Sequence, residues 1–214
     1  MKSRLLLIGA GGHCRVILDL LLQTKKYSVS GILDLKERVG DEVLGVPIIG
    51  TDLDLPKFYK KGIRYCFISV GSIGSPRVRI KLQKLAQEAG FIFPNIIHPS
   101  ALISPRVSIG EGNFIAPRVI VNVNSNIGNH CILNTGAILE HDCQIGDFVH
   151  IAPGVVLSGG ISVGDQAHIG TGSIVRQSLK IGSKSIIGAG SVVTKDIPTN
   201  VMAFGNPCKE QKNV

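Results

Sequence analysis

The 214-residue chain contains no tryptophan, and aromatic residues make up only 5% of it. A core of large rings is thereby excluded, and so is a platform on which single-stranded nucleic acid could stack its bases. Charge is sparse as well, at 18% of residues. The balance is basic, with a net charge of +8 and a pI near 9.4. The bases stand singly or in pairs, such as Lys25-Lys26 and Lys60-Lys61, and never form a long run. That pattern points to a phosphorylated small molecule as partner and away from nucleic acid. Cysteines at 14, 66, 131, 143 and 208 are odd in number, and no pair has Cys-x-x-Cys spacing. Neither a disulfide framework nor a zinc site is expected. No apolar run reaches membrane-spanning length, and the apolar segment after Arg4 stops at Gly9, too soon for a secretory signal. The expected setting is soluble, reducing and cytoplasmic, with no membrane span.

What the chain has in abundance is glycine, 26 residues, and aliphatic side chains. Every sixth residue from Ile97 to Val193 is Ile, Leu or Val, 17 positions without a break. Glycine often follows, at 110, 128, 146, 164, 170, 182 and 188, and the fifth position is small or aliphatic, as at Cys131, Ala137, Val149 and Ala167. A period of six suits neither a helix nor simple strand alternation. It suits a chain that turns a corner every six residues, with three edges to a triangular coil. Each coil exposes its inner face unless another stacks on it, so stacking supplies the core. Glycine, and at some cost Asn122 and Asn134, would serve corners that need positive φ. The period leaves the hand of the coil open.

The first ninety residues read differently. Arg4–Ile8, Val29–Leu33 and Tyr65–Val70 are short apolar strands. Helical periodicity runs from His13 to Gln23 (Val16, Ile17, Leu20, Leu21) and over 76–89 (Val78, Leu82, Leu85, Ala89). Strands alternating with helices predict a small parallel α/β sheet. The turn Gly9-Ala10-Gly11-Gly12 leads into the first helix, and Asp34 follows the second strand. A dinucleotide fingerprint fails where Cys14 replaces its third glycine. Half of such a fold fits a mononucleotide: amides near Gly11–His13 to hold phosphate, and Asp34 to accept from ribose or base. The plain alternative is that these glycines only permit a tight turn.

Gly11-Gly12-His13-Cys14-Arg15-Val16, one α/β unit, then an unbroken hexapeptide array is a specific order of parts. Over essentially its whole length the chain resembles the bacterial sugar acyltransferases that N-acetylate UDP-4-amino sugars or O-acetylate sialic acid. The sharpest segment is Asn134–His150, with Leu139-Glu140-His141-Asp142-Cys143 at its centre, and Gly205-Asn206-Pro207-Cys208-Lys209 is similar to the family's tail. The resemblance implies a Rossmann-like nucleotide-sugar-binding domain over 1–95. It implies a left-handed parallel β-helix acyltransferase domain over 96–214.

It also implies roles. His141 would be the general base and Asp142 the carboxylate that supports it. His150 would hydrogen-bond the thioester region of acetyl-CoA, and the backbone at Thr171 and Ala189 would line the pantetheine groove. Gly11, Gly12, His13, Asp34, Leu35 and Gly71 would form the nucleotide-sugar pocket. Relatives often carry Asp-Asp where this chain has Asp34-Leu35, and Asn where it has Ser72. Acetyl-CoA would be the co-substrate, the assembly a homotrimer with sites between neighbours, and no metal is implied.

Direct acyl transfer from a thioester needs a proton acceptor near neutrality and a carboxylate to fix its tautomer, which a His-Asp pair supplies. The leading expectation is N-acetylation of a nucleotide-linked, UDP-type 4-amino sugar for a surface glycan. The alternatives are O-acetylation of sialic acid or another sugar, and a solenoid that binds without turnover.

Overall fold

The computed structural model describes residues 2–213. They form two compact units: one holds the residues up to Ser72 together with Arg77–Pro94, the other Ile73–Pro76 and the residues from Asn95 on.

The first unit runs β1 (Arg4–Ile8), α1 (Gly12–Thr24), β2 (Ser28–Leu33), β3 (Glu42–Val43), β4 (Val46–Gly50), α2 (Leu55–Lys60), β5 (Tyr65–Ile68) and α3 (Arg77–Glu88), with two single 3-10 turns between them. Its sheet has the order β3-β4-β2-β1-β5. The central β1 reads Leu5-Leu6-Leu7-Ile8 and is buried on both sides, as a parallel strand between helical layers must be. Leu6 and Ile8 pack with Leu82, Ala86 and Phe91 on one face. Cys14, Ile17, Leu18 and Leu21 form the buried stripe of α1.

The strands and both longer helices stand where the periodicity predicts them, with three corrections. The sheet is not wholly parallel, because β3 pairs antiparallel with β4 in a hairpin. Val16 is exposed, and the stripe of α1 is turned toward Cys14 and Leu18. In α3 the buried stripe is Arg79, Leu82 and Ala86, while Val78 is exposed.

The second unit is a left-handed parallel β-helix of two-residue strands, each paired with the strand 18 residues away. In each pair the second residue points inward: Leu139, Ile145, Ile151, Leu157 and Ile169 are all at most 4% exposed. The first residue points outward, and the three faces differ by this column. One face is apolar: Leu102, Ile120, Ile138, Val156, Ile174, Val192. One is polar: Ser108, Asn126, Gln144, Ser162, Lys180. The third carries Phe114, Ile132, His150, His168 and Ile186, and is called the histidine face below. Its last neighbours are Val201–Gly205, which pairs parallel with Ile186–Ile187, and Cys208–Asn213, which turns back antiparallel.

Glycine serves this helix in two ways, and at Gly112, Gly136, Gly154, Gly160, Gly172 and Gly190 it takes the left-handed corner as expected. The glycines that follow the inward aliphatics are not in the left-handed region. They are required by the closeness of the next coil: a Cβ on Gly170 would stand 2.6 Å from the amide nitrogen of Ala189. Positive φ falls at the second corner residue, and side chains often bear it, as at Asn124, His130, Asp142 and Phe148. Asn122 and Asn134 are not among them.

Candidate functional site

His141 and Asp142 occupy one corner of the β-helix, between the apolar strand Ile138–Leu139 and the polar strand Gln144–Ile145. Backbone bonds pin this corner to both neighbouring coils. The Asp142 N–H donates to the Val123 carbonyl at 3.0 Å, and the Gly160 N–H donates to the His141 carbonyl at 2.8 Å. His141 Nδ1 lies 2.7 Å from Asp142 Oδ2, with both side chains more than half exposed. The bond from His141, joined by one from Asn124, holds the Asp142 carboxyl below its ordinary value. An ionised carboxylate can only accept, so Nδ1 carries the hydrogen, and in the neutral ring Nε2 is the nitrogen with the lone pair. That nitrogen lies over Gly159 on the next coil: a Cβ there would be 2.5 Å from Nε2 and from Cε1. The corner thus presents an imidazole oriented by a carboxylate, with its Nε2 above a residue that has no side chain.

His150 and His168 stack on successive coils of the histidine face, as their 18-residue spacing predicts. Their ring centroids are 4.8 Å apart, edge to face, and both are buried. Asn134 Nδ2 approaches His150 Nε2 at 3.4 Å. Burial lowers the pKa of His168, which favours the neutral ring. His130 is no solvated histidine: it is 3% exposed and stacks on Phe148 at 5.0 Å. Thr171 and Ala189 are equivalent residues on the exposed corner between the histidine and apolar faces, and the Gly190 N–H donates to the Thr171 carbonyl at 2.8 Å. Within one chain the six-strand apolar face therefore separates the His141 corner from the Thr171–Ala189 corner. Among the described residues no cluster of His, Cys, Asp and Glu could hold a metal ion.

In the α/β unit a cavity of about 560 Å³ opens at the carboxyl ends of the strands, past Ile8, Leu33 and Val70, with Lys81 and Leu82 of α3 on its wall. Such a crevice is where open α/β sheets bind ligands. Asp34 and Leu35 line it; Gly11, Gly12, His13 and Gly71 do not. Those four gather at the start of α1, where a Cβ on Gly71 would lie 3.2 Å from the His13 Cβ. No side chain caps α1, and its first turn holds no acid. Asp34 is already engaged: Oδ2 accepts from the Ala10 N–H at 2.6 Å and from Arg38 at 3.2 Å, and Oδ1 from the Leu35 N–H at 2.7 Å. It braces the glycine turn from the cavity wall.

Sequence reasoning passed over Lys81, Thr51 and Asp52 in the cavity wall, and Asn124 and Gly159 at the His141 corner. The cavity residues come from separate segments with no shared period. The corner residues were open to discovery, since Asn124 is one coil of 18 residues before Asp142 and Gly159 is one coil after His141.

An α/β unit followed by a left-handed hexapeptide β-helix with a histidine–carboxylate corner defines a sugar acyltransferase. Residues 4–85 match the PglD N-terminal domain family, and residues 124–159 match the bacterial transferase hexapeptide family (six repeats). The chain is 39% identical to perosamine N-acetyltransferase from Caulobacter crescentus, solved as a histidine-to-asparagine mutant with CoA and GDP-perosamine. That match covers 100% of this chain and 99% of the other, with a TM-score of 0.92. The acetyltransferase domain of PglB from Neisseria gonorrhoeae FA1090, solved with acetyl coenzyme A, is 36% identical over 99% of this chain and 100% of that one (TM-score 0.88). WeeI from Acinetobacter baumannii AYE is 30% identical over 98% and 100% (TM-score 0.87). The chain belongs to the hexapeptide-repeat sugar acyltransferases. An uncharacterized protein, L142, of Acanthamoeba polyphaga mimivirus is 34% identical over 109 residues, which is 51% of this chain and one fifth (20%) of the viral protein's length.

Proposed function

We propose that this chain transfers the acetyl group of acetyl-CoA to the amine of a nucleotide-linked 4-amino sugar, in the building of a surface glycan, with His141 as general base. The observation that carries this reading is the 2.7 Å His141–Asp142 bond, which leaves Nε2 basic and open above Gly159. The amine attacks the thioester carbonyl and a C–N bond forms. His141 Nε2 takes the proton that the nitrogen sheds, and the imidazolium is stabilised by Asp142. The tetrahedral oxyanion then collapses, the C–S bond breaks, and the CoA thiolate leaves and is protonated. A base of this kind contributes roughly 10²–10⁴-fold. The CoA-bound histidine mutants of the Caulobacter enzyme support a histidine-centred site.

In this reading His150, held by Asn134 and His168, bonds the thioester region, and the corner at Thr171 and Ala189 lines the pantetheine groove. The amides at Gly11, Gly12 and His13, next to Gly71, hold phosphate at the uncapped start of α1. Asp34 shapes the turn, and Leu35 lies against the nucleotide. The nucleotide is uridine diphosphate, as the resemblance first suggests, or guanosine diphosphate, as in the Caulobacter enzyme.

The apolar face, where Leu102 and Ile174 are 67% and 47% exposed, supports a homotrimer. Three copies packed by this face around a threefold axis bring the His141 corner of one against the Thr171–Ala189 corner of the next. An active, stable monomer in light scattering would refute that assembly.

Thiol release from acetyl-CoA, measured with UDP- and GDP-linked 4-amino sugars, tests the reaction. Turnover on one of them, lost in His141→Ala, supports it and names the nucleotide. Release only with a free sugar such as sialic acid points to O-acetylation, and silence throughout points to a non-catalytic solenoid.

A further inference from the structure

The cavity of the α/β unit has walls that packing of the fold does not explain. Leu53, Leu35 and Val78 are 82%, 68% and 58% exposed, and all three line it. They come from separate segments: the 3-10 turn Asp52–Asp54, the residue after Asp34, and the first turn of α3. Buried Ile8 and Leu82 continue the same lining. Large aliphatic side chains left open to water around one crevice mark a ligand surface, and a flat ring lies well against them.

The carboxylates around this crevice differ in what they already hold. Asp34 braces the glycine turn. Asp54 Oδ2 accepts from the Thr51 N–H at 2.9 Å and from the Thr51 hydroxyl at 3.2 Å, which closes the turn that carries Asp52. The Asp34 N–H donates to the Gly50 carbonyl at 3.0 Å and ties this turn to the end of β2. Asp52 sits in that frame, half-buried in the cavity wall. Among the described residues its carboxylate makes no hydrogen bond and no ion pair. Glu37, the other uncommitted carboxylate of the lining, is exposed.

A carboxylate can accept two parallel N–H bonds, one on each oxygen. Among the common nucleobases only guanine presents two adjacent donors, N1–H and the exocyclic N2–H. Uracil presents N3–H between two carbonyl oxygens, which a carboxylate repels. Adenine and cytosine present an amino group beside a ring nitrogen that can only accept. Lys81, on the α3 wall, can donate to a ring carbonyl, but guanine and uracil both have one, so the lysine does not choose between them.

We propose that Asp52 selects the base of the nucleotide and that the base is guanine: the ring lies among Leu35, Leu53 and Val78, and its N1–H and N2–H donate to the Asp52 carboxylate. This rests on the reading of the α/β unit as the nucleotide-binding part of the chain.

The test is calorimetric binding of nucleoside diphosphates to the full-length protein, without acetyl-CoA and without turnover. GDP should bind about tenfold more tightly than IDP, which lacks only the exocyclic amine; that is the scale of one hydrogen bond to a charged group. UDP should be weaker than GDP by about the same factor or more. Asp52→Asn replaces one acceptor by a donor. In that variant GDP should lose about tenfold, the gap between GDP and IDP should close, and XDP, with a carbonyl where guanine has its amine, should gain about tenfold. A merely structural role for Asp52 would weaken every nucleotide alike and strengthen none. Glu37→Gln should leave the ratio of GDP to IDP affinity unchanged.

Tighter binding of UDP than GDP overturns the proposal while the nucleotide reading stands. So does a ratio of GDP to IDP affinity that survives Asp52→Asn or collapses in Glu37→Gln. Failure of every diphosphate to bind overturns the nucleotide reading and the proposal together.

Discussion

The His141 corner and the α/β cavity are built by opposite means. The His141 corner is assembled from three adjacent coils, so its parts recur at 18-residue intervals: Asn124 before it, Gly159 after it. The α/β cavity draws on the ends of separate strands, two connecting turns and α3, from Ile8 to Leu82. In the first, the backbone ladder fixes the side chains directly. In the second, side chains such as Asp34 must brace the turns before any ligand arrives. A periodic scaffold sets its site residues by register, whereas a sheet-end site collects them from separate segments.

The contrast can be tested in descending order of effect. His141→Ala should cost roughly 10²–10⁴ in kcat and leave the urea midpoint in place, because the side chain is more than half exposed. A parallel drop in stability would mean that the corner is structural. Truncation of the stack at Ile169, which is fully buried, should cost about 2–4 kcal/mol as Ile169→Ala. Leu35→Ala at the exposed cavity rim should stay within roughly 0.5 kcal/mol; similar losses at both would erase the contrast in urea unfolding. Gly159→Ala adds a methyl where His141 lies 2.5 Å away. The ring must swing aside, and activity should fall about tenfold, a loss of roughly 1.4 kcal/mol of barrier lowering. Unchanged kinetics would show that the ring has room to give.

The smallest effect is in pH. Burial lowers the pKa of His168 in the fold below its ordinary 6.5, so the unfolded chain takes up a proton first. Stability should therefore decline as pH falls below 6.5, until the buried ring itself protonates. His168→Ile, matching Ile132 and Ile186 in the same column, should flatten that decline in urea melts over roughly pH 5 to 8.

The same contrast explains what could be read before the fold was known. The array was legible because each coil asks the same thing of the same position, so Ile97 to Val193 repeat one demand. His141, Asp142, His150, Thr171 and Ala189 entered through a contiguous resembling segment and its period. Asn124 and Gly159 were missed because their importance lies in what stacks on them. The hairpin at 42–50 and α2, with only six residues and Pro56 in its first turn, escaped because neither is long enough to show a period. Lys81 escaped because nothing in a helical stripe tells which exposed lysine faces a cavity. Even the glycines have two causes: left-handed corners, as at Gly136 and Gly154, and the close approach of coils after the inward aliphatics, as at Gly170.

The 18-residue register has a heritable consequence. A single-residue insertion or deletion inside the array would shift every later aliphatic side chain off its inward position and part the ladder on three faces together. Gain or loss of one whole coil preserves every pairing on either side. Length variation in such an array is thus quantised, and each quantum would move His141 by one strand spacing, about 4.8 Å, relative to the coils beyond it. The distance a bound coenzyme must span along the edge is, in effect, counted in coils.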